Sequence, residues 1–326
     1  MKLVLNAPDS SNAALEIAAE LEQAILSDPS RNVEAVHPHE RLSEKAFSLW
    51  SRLEGLLPQC MLRVISMVRL KLLRANRHYF NVLMTPNWRK CFPHILYPGH
   101  KSVYLFDAWP GFHEGIVNTV KSHHLSRVFV SSSQAAKRLQ GMIDRPVFSW
   151  VPEGIDPERY QFRSYEDKDI DVLELGRKYD AYHDRIVSAM ESDGRTHLYE
   201  KTKGVLIFPT SEDLIDGLAR TRISICVPSN ITHPERSGDI ETMTVRYLQS
   251  MVSKCLIVGH APQEMVELFG YNPVIEIDMG DPVGQLRSIL DHFDDHVALI
   301  EKNYQEAISK HTWKNRWEQI AKIIEA

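Results

Sequence analysis

The chain has 326 residues, 43% of them hydrophobic and 25% charged, with a net charge of −5. At about 150 residues per domain that length exceeds one ordinary α/β core and suits two. An acidic balance without a basic patch interleaved with aromatics speaks against a nucleic-acid partner.

The charge is uneven. The first 150 residues carry 18 Lys+Arg against 12 Asp+Glu, and the remainder carries 20 against 31. A basic half joined to an acidic half is compatible with one domain facing an anionic surface or acceptor.

In chain order, the N-terminus MKLVLNAPDSS offers only three consecutive apolar residues. A membrane span needs about 20, so this start reads as a first buried strand, and neither a signal peptide nor an anchor is expected. Further strands are predicted over residues 33–36, 80–84, 102–106, 127–131, 147–151, 170–175, 195–199, 223–227, 255–258 and 274–277. Helices are predicted over 13–26, 132–141, 181–191, 244–253 and 282–293, and helix dominates from 282 to 325. Short continuous apolar strands alternating with helices imply parallel sheets covered on both faces. The two prolines, the glycine and the charge run of VPEGIDPERYQFRSYEDKD set the domain boundary, giving domains 1–152 and 153–326. Two doubly wound domains in series leave a cleft at the carboxyl ends of their strands, where such folds bind ligands.

Residues 62–77 (LRVISMVRLKLLRANR) carry five basic side chains and no acid on an amphipathic pattern. Two readings stay open: a surface helix with its stripe in the core, or a patch for an anionic membrane surface or acceptor. Cys60, Cys91, Cys226 and Cys255 are scattered without a Cys-x-x-Cys pair. Buried free thiols at Cys226 and Cys255, a reduced cytoplasmic setting and no structural zinc site are the expectation.

No G-x-G-x-x-G, P-loop, G-x-S-x-G or H-E-x-x-H is present, so dehydrogenase, NTPase, hydrolase and zincin readings lack their anchors. The D-x-D of Asp169 to Asp171 opens a strand and reads as a strand edge rather than a metal site. The informative stretch is HPERSGDIETMTVRYLQSMVSKCLIVG, residues 233–259. A buried strand ends before it, a polar loop follows, and a helix is expected to start near Glu241 to Thr244. Such a helix start presents unpaired N–H groups and a positive dipole end to an anion. Arg246 adds forked donors suited to a diphosphate. If helical, Glu241 and Gln249 share one face two turns apart.

This segment resembles the nucleotide-binding signature of the retaining "group 1" glycosyltransferases with the GT-B fold. Glu241 matches the first acid of the family pattern, and LQSMVSK (248–254) matches its helix. The lead-in Thr244-x-Arg246-Tyr247-Leu248 is most similar to the spore-maturation-glycosyltransferase-like branch. By this resemblance Glu241 reaches the donor sugar and Gln249 the ribose, with Thr244 and Arg246 in the donor site. LGRKY places Arg177 and Lys178 where the family faces the diphosphate. VPEGIDPERY resembles the interdomain segment, with Glu153 in the donor set, and HTWKNRWEQI resembles the helix that crosses back to the first domain. Gln249 replaces the usual Glu, and Lys254 stands where Gly is usual.

In the first half, DAWPGFH follows a strand with aromatics, a glycine and a histidine, which fits a sugar platform. The family often has a His in this region, so His113 is the first candidate and Asp107 the second. Either can accept an acceptor-hydroxyl proton; the competing reading is a loop whose Asp caps the next helix. The resemblance implies an α/β, GT-B protein of two doubly wound Rossmann-like domains facing a central cleft, with a C-terminal helix crossing back. It implies hexose transfer from a nucleotide diphosphate sugar to a glycan, lipid-linked or small-molecule acceptor, with retention. Neither a metal nor a cofactor beyond that donor is expected. The departures at 249 and 254 keep open a nucleotide-sugar-binding or scaffolding subunit without turnover.

Overall fold

A computed structural model describes residues 2–6, 16–36, 45, 48–49, 52, 77–91, 94–96, 99–176, 178–202 and 204–326. The segment 62–76, Arg177 and Cys60 lie outside the described residues. By contacts the chain divides into two compact units, Met1–Pro152 with Trp317–Ala326, and Glu153–Arg316.

The first unit contains β1 (Lys2–Asn6), α1 (Glu16–Leu26), β2 (Asn32–Val36), β3 (Arg77–Leu83), β4 (His100–Leu105), α2 (His113–Ser122), β5 (Arg127–Val130), α3 (Ser133–Gln140) and β6 (Phe148–Trp150). Its six strands run parallel in the order β2-β1-β3-β4-β5-β6. Every strand predicted here is present within a few residues of its expected bounds. The cause is visible in the burial: Leu5, Phe80, Val103, Leu105, Val128 and Val130 are all buried, because a parallel sheet is covered on both faces.

The second unit contains β7 (Ile170–Glu174), α4 (Asp180–Ser192), β8 (His197–Tyr199), α5 (Ser211–Ala219), β9 (Thr221–Cys226), α6 (Ser229–Thr232), α7 (Pro234–Ser237), α8 (Val245–Val252), β10 (Leu256–Gly259), α9 (Gln263–Phe269), β11 (Ile275–Glu276), α10 (Pro282–Asp291) and α11 (Val297–Lys310). A last helix, α12, spans Trp313–Glu325. The strand order is β11-β10-β9-β7-β8, again parallel. One face packs Val172, Ile223, Ile225, Leu256 and Val258 against Ile186 and Met190 of α4 and Leu286 and Ile289 of α10. The other packs Ile257 with Tyr247, Leu248 and Met251 of α8 and Met265 and Phe269 of α9.

From Trp317 onward α12 belongs to the first unit. There the Trp317 ring meets Phe80 edge-on at 5.8 Å and its indole N–H donates to Asp28 at 2.8 Å. Near the end of the helix Glu325 accepts from Arg31 at 2.7 Å.

Two segments singled out in the sequence meet inside the second unit. The Ile155 and Trp313 amides are each held by the other segment, Ile155 N–H donating to His311 at 3.1 Å and Trp313 N–H to Ile155 at 3.1 Å. Gly154 allows this approach, since a Cβ there would stand 2.9 Å from the Trp313 ring and backbone nitrogen.

Lys254 fills the role of a helix-closing glycine. It sits at φ 53°, the left-handed region most residues avoid. Its N–H donates to Met251 and that of Cys255 to Ser250, the two bonds of a Schellman closure. The side chain offsets the strain: Nζ pairs with Glu301 at 2.8 Å and lies 4.2 Å from the Phe162 ring centre. Cys226 and Cys255 are buried free thiols. Asp169 is held by Arg220 and Asp171 by the Thr196 amide, so the D-x-D carboxylates serve separate strand-edge contacts.

Burial sets a pH dependence. It pushes His78 and His123 down to about 4 and His311 down to about 3, with nearby positive charge adding to the effect at the last. Below the usual imidazole value of 6.5, the unfolded chain then takes up protons that the folded chain refuses, so stability falls with pH. Each such imidazole contributes a slope of about 1.4 kcal/mol per pH unit. Glu22 opposes them: burial pushes it up to about 8, so its contribution is present below 4.5 and lost as pH rises through 8. Three imidazoles outweigh one carboxyl. Chemical denaturation at pH 7, 5.5 and 4.5 is expected to show stability dropping at each step, and a flat profile would count against these burials.

Candidate functional site

The candidate site is built where β7, β9 and β10 end. Glu241 lies in the loop between α7 and α8, not on a helix. The helix expected over 244–253 is present as α8, beginning at Val245 with Thr244 as its N-cap residue, so Glu241 lies before its start. Glu241 and Gln249 therefore do not share a helix face. The loop is held out of helical form by Gly238 at φ 58° and by inward-turned Ile240 and Met243, both buried.

Glu241 is fixed through β10. One carboxylate oxygen lies 2.8 Å from His260 Nε2 and the other accepts from the Gln263 amide at 3.1 Å. His260 Nδ1 lies 3.0 Å from Glu276. The imidazole of His260 thus lies between the carboxylates of Glu241 and Glu276. The backbone of His260 is tied down as well: its N–H donates to Cys226 at 3.0 Å and its C=O accepts from the Tyr247 hydroxyl at 2.7 Å. Sequence reasoning singled out neither His260 nor Glu276, because their only signal is their place at and after the end of a strand.

The start of α8 is more occupied than the sequence suggested. The Val245 amide donates to Glu153 at 2.5 Å, so a carboxylate from the 151–160 segment takes the first anion position. Arg246 donates to the Leu175 carbonyl at 3.0 Å and to that of Val227 at 3.3 Å, tying the ends of β7 and β9 together. Gln249 is buried and donates to the Tyr160 hydroxyl at 3.0 Å. The Thr244 hydroxyl is buried with no hydrogen-bond partner among the described residues. Lys178 places its ammonium 5.1 Å from the centre of the Tyr199 ring. The structure thus groups Glu153, Thr244 and Arg246 at one helix start, with Gln249 one turn on and Glu241 in the preceding loop.

His113 and Asp107 lie in the first unit. His113 opens α2, buried, with Nε2 3.0 Å from the Ala108 carbonyl. Since a carbonyl cannot donate, Nε2 carries the proton and Nδ1 is the basic nitrogen. The Asp107 amide donates to Met84 at 2.8 Å, fixing the loop to the end of β3.

No protein-family model matches the chain, and no curated protein is similar to it in sequence. Solved structures are similar in shape. HepE from Anabaena, in complex with UDP-glucose, covers 100% of this chain and 99% of its own at TM-score 0.56 and 10% identity. AviGT4, a glycosyltransferase involved in avilamycin A biosynthesis, covers 100% and 97% at TM-score 0.55 and 14% identity. TarM covers 81% of this chain at TM-score 0.54 and 11% identity, and the match spans 58% of TarM.

The fold is that of the GT-B glycosyltransferases. At these identities the likeness shows architecture alone. HepE has also been captured with UDP, and with UDP and glucose together. Within the GT-B frame of this chain, the Glu241 loop and the start of α8 follow the carboxyl end of β9, the strand edge at which doubly wound sheets hold ligands. Among the described residues no helix is long and apolar enough to cross a membrane.

Proposed function

We propose that the chain transfers a hexose from a nucleotide diphosphate sugar to an acceptor hydroxyl. The unit Glu153–Arg316 would hold the donor and the unit begun by Met1–Pro152 the acceptor. One observation carries the reading: the GT-B fold extends over the whole chain, matching at full length proteins whose structures hold UDP and UDP-glucose. Uridine diphosphate sugars are therefore the first donors to test.

In this reading Glu241 contacts the donor sugar and Gln249 the ribose. Arg246 together with Lys178 and Arg177 offsets the charge of the departing diphosphate, so that no bound metal is required there. Glu153 holds the start of α8 in place, and Thr244 keeps a hydroxyl for the donor. As the acceptor oxygen bonds to the anomeric carbon, the bond to the diphosphate breaks and the diphosphate keeps the electron pair. The hydroxyl proton passes to His113 Nδ1 or to Asp107. Retention at the anomeric carbon, and the spore-maturation-like branch, follow from the Glu241 and 244–248 resemblance. The reaction is placed in the cytoplasm, with a glycan, lipid-linked or small-molecule acceptor, and membrane contact through 62–77 is a separate question for vesicle binding.

A second reading, donor binding without turnover, is favoured by Gln249, a neutral amide already bonded to Tyr160. Donor consumption with and without a panel of acceptors separates the two. The transferase reading expects acceptors to speed consumption and proton NMR to show the donor's anomeric configuration in the first product. Consumption unchanged by every acceptor, or an inverted first product, contradicts it.

A further inference from the structure

Behind the candidate donor site, under α4, lies a buried cluster that the transfer reaction does not use. Glu174 ends β7, and His197 opens β8 opposite Val172. Side chains alternate along a strand and paired residues point the same way, so Glu174, His197 and Tyr199 share one face of the sheet. The first turn of α4 packs over that face and delivers His183. Both histidines address the same oxygen, Glu174 Oε1, His183 through Nδ1 at 2.6 Å and His197 through Nε2 at 2.8 Å. All three residues are buried, and their donor atoms lie within 4.8 Å of one another. Tyr199 covers the two imidazoles, its ring centre 4.5 Å from one and 4.9 Å from the other.

Hydrogen bonding alone leaves this cluster poorly satisfied. Glu174 Oε2, His197 Nδ1 and the hydroxyl of Tyr182, the neighbour of His183, are all buried with no hydrogen-bond partner among the described residues. A buried carboxylate with one oxygen bare is costly.

We propose that Glu174, His183 and His197 bind one divalent transition-metal ion of the zinc class. Two imidazoles and one carboxylate suit zinc, cobalt or nickel, whereas calcium and magnesium call for oxygen-rich sets. Binding replaces the two ring N–H contacts: by exchange with solvent the single proton of each neutral ring moves to its other nitrogen, Nε2 of His183 and Nδ1 of His197, so that Nδ1 of His183 and Nε2 of His197 turn lone pairs to the metal, and a water completes four-coordination. Ligands at about 2.0–2.2 Å in a tetrahedron stand about 3.3 Å apart, so the distances from Oε1 to the two ring nitrogens open by roughly half an ångström, and the metal-bound water has the bare second oxygen as an acceptor. The site is structural: it fastens strand, helix and strand directly beneath the Leu175–Gly176 turn that receives Arg246. No short spacing announces it in sequence, because the ligands stand 9 and 23 residues from Glu174.

The test uses the full chain, stripped with a chelator and titrated with cobalt(II). Visible d–d absorption saturating at one equivalent, abolished by zinc, is expected, together with a higher Tm in zinc. Glu174→Gln, His183→Gln and His197→Gln should each lose the absorption while keeping the far-ultraviolet circular dichroism of the wild type. Histidine-ring 15N spectra of the unsubstituted chain supply a readout that needs no variant, with two imidazoles expected to shift on adding zinc. No cobalt absorption, absorption that survives all three substitutions, or ring signals unmoved by zinc would overturn the site and leave a hydrogen-bonded His–Glu–His core.

Discussion

Glu241→Ala is expected to lower turnover by about 10²–10³-fold, the range found when one preorganised electrostatic contact is removed from a transition state. The loss should fall mainly on kcat, because the proposed contact is to the sugar whose bond is breaking, not to the nucleotide that supplies most of the binding. Folding should survive. The substitution releases His260 and the Gln263 amide, but His260 is partly exposed and keeps Glu276, so the stability cost is about 1 kcal/mol. Glu241→Gln can still accept from Gln263 but offers His260 and the donor sugar a neutral amide in place of a carboxylate, and should fall between the two. Wild-type turnover in the alanine variant would remove Glu241 from the site.

The largest expected effect on stability is at Gly259, one residue before His260. A Cβ there would lie 1.8 Å from the Cys226 carbonyl oxygen across the β9–β10 pair. The obstacle is backbone, so no side chain can swing aside. Gly259→Ala should cost about 3 kcal/mol or more, roughly 10 °C in the Tm of the second unit. Gly115→Ala is the control, since its Cβ would meet nothing within 4 Å and helix propensity favours Ala. Calorimetry of both variants checks the contrast; equal melting would show that the two strands do not approach as closely as described. The same close approach lets His260 donate to Cys226 and meet Glu241, so the glycine that limits stability also positions the candidate site.

Much of this was legible in the sequence, for identifiable reasons. A strand such as Leu256–Gly259 is buried along its whole length, so it prints as a continuous apolar run. Glu241 and the α8 segment were found through a family spacing. The geometry around them was not, because the partners are distant in sequence. Glu153 reaches the Val245 amide from 92 residues away, Arg246 reaches carbonyls 71 and 19 residues away, and Gln249 meets Tyr160 across 89. The cap of that helix was hidden for a related reason. Thr244 carries the residue type of an N-cap, but its hydroxyl caps nothing, and the bond comes from Glu153 instead. Lys254, a departure from the family glycine, keeps the closure through an ion pair and aromatic contacts that no local pattern encodes.

Calorimetric titration of the full chain with UDP-glucose and other nucleotide diphosphate sugars tests the central claim most directly. Donor binding by the second unit predicts saturable binding of at least one such sugar, competed by its nucleoside diphosphate and weakened by Arg246→Ala. No binding of any nucleotide diphosphate sugar by the folded protein would contradict it.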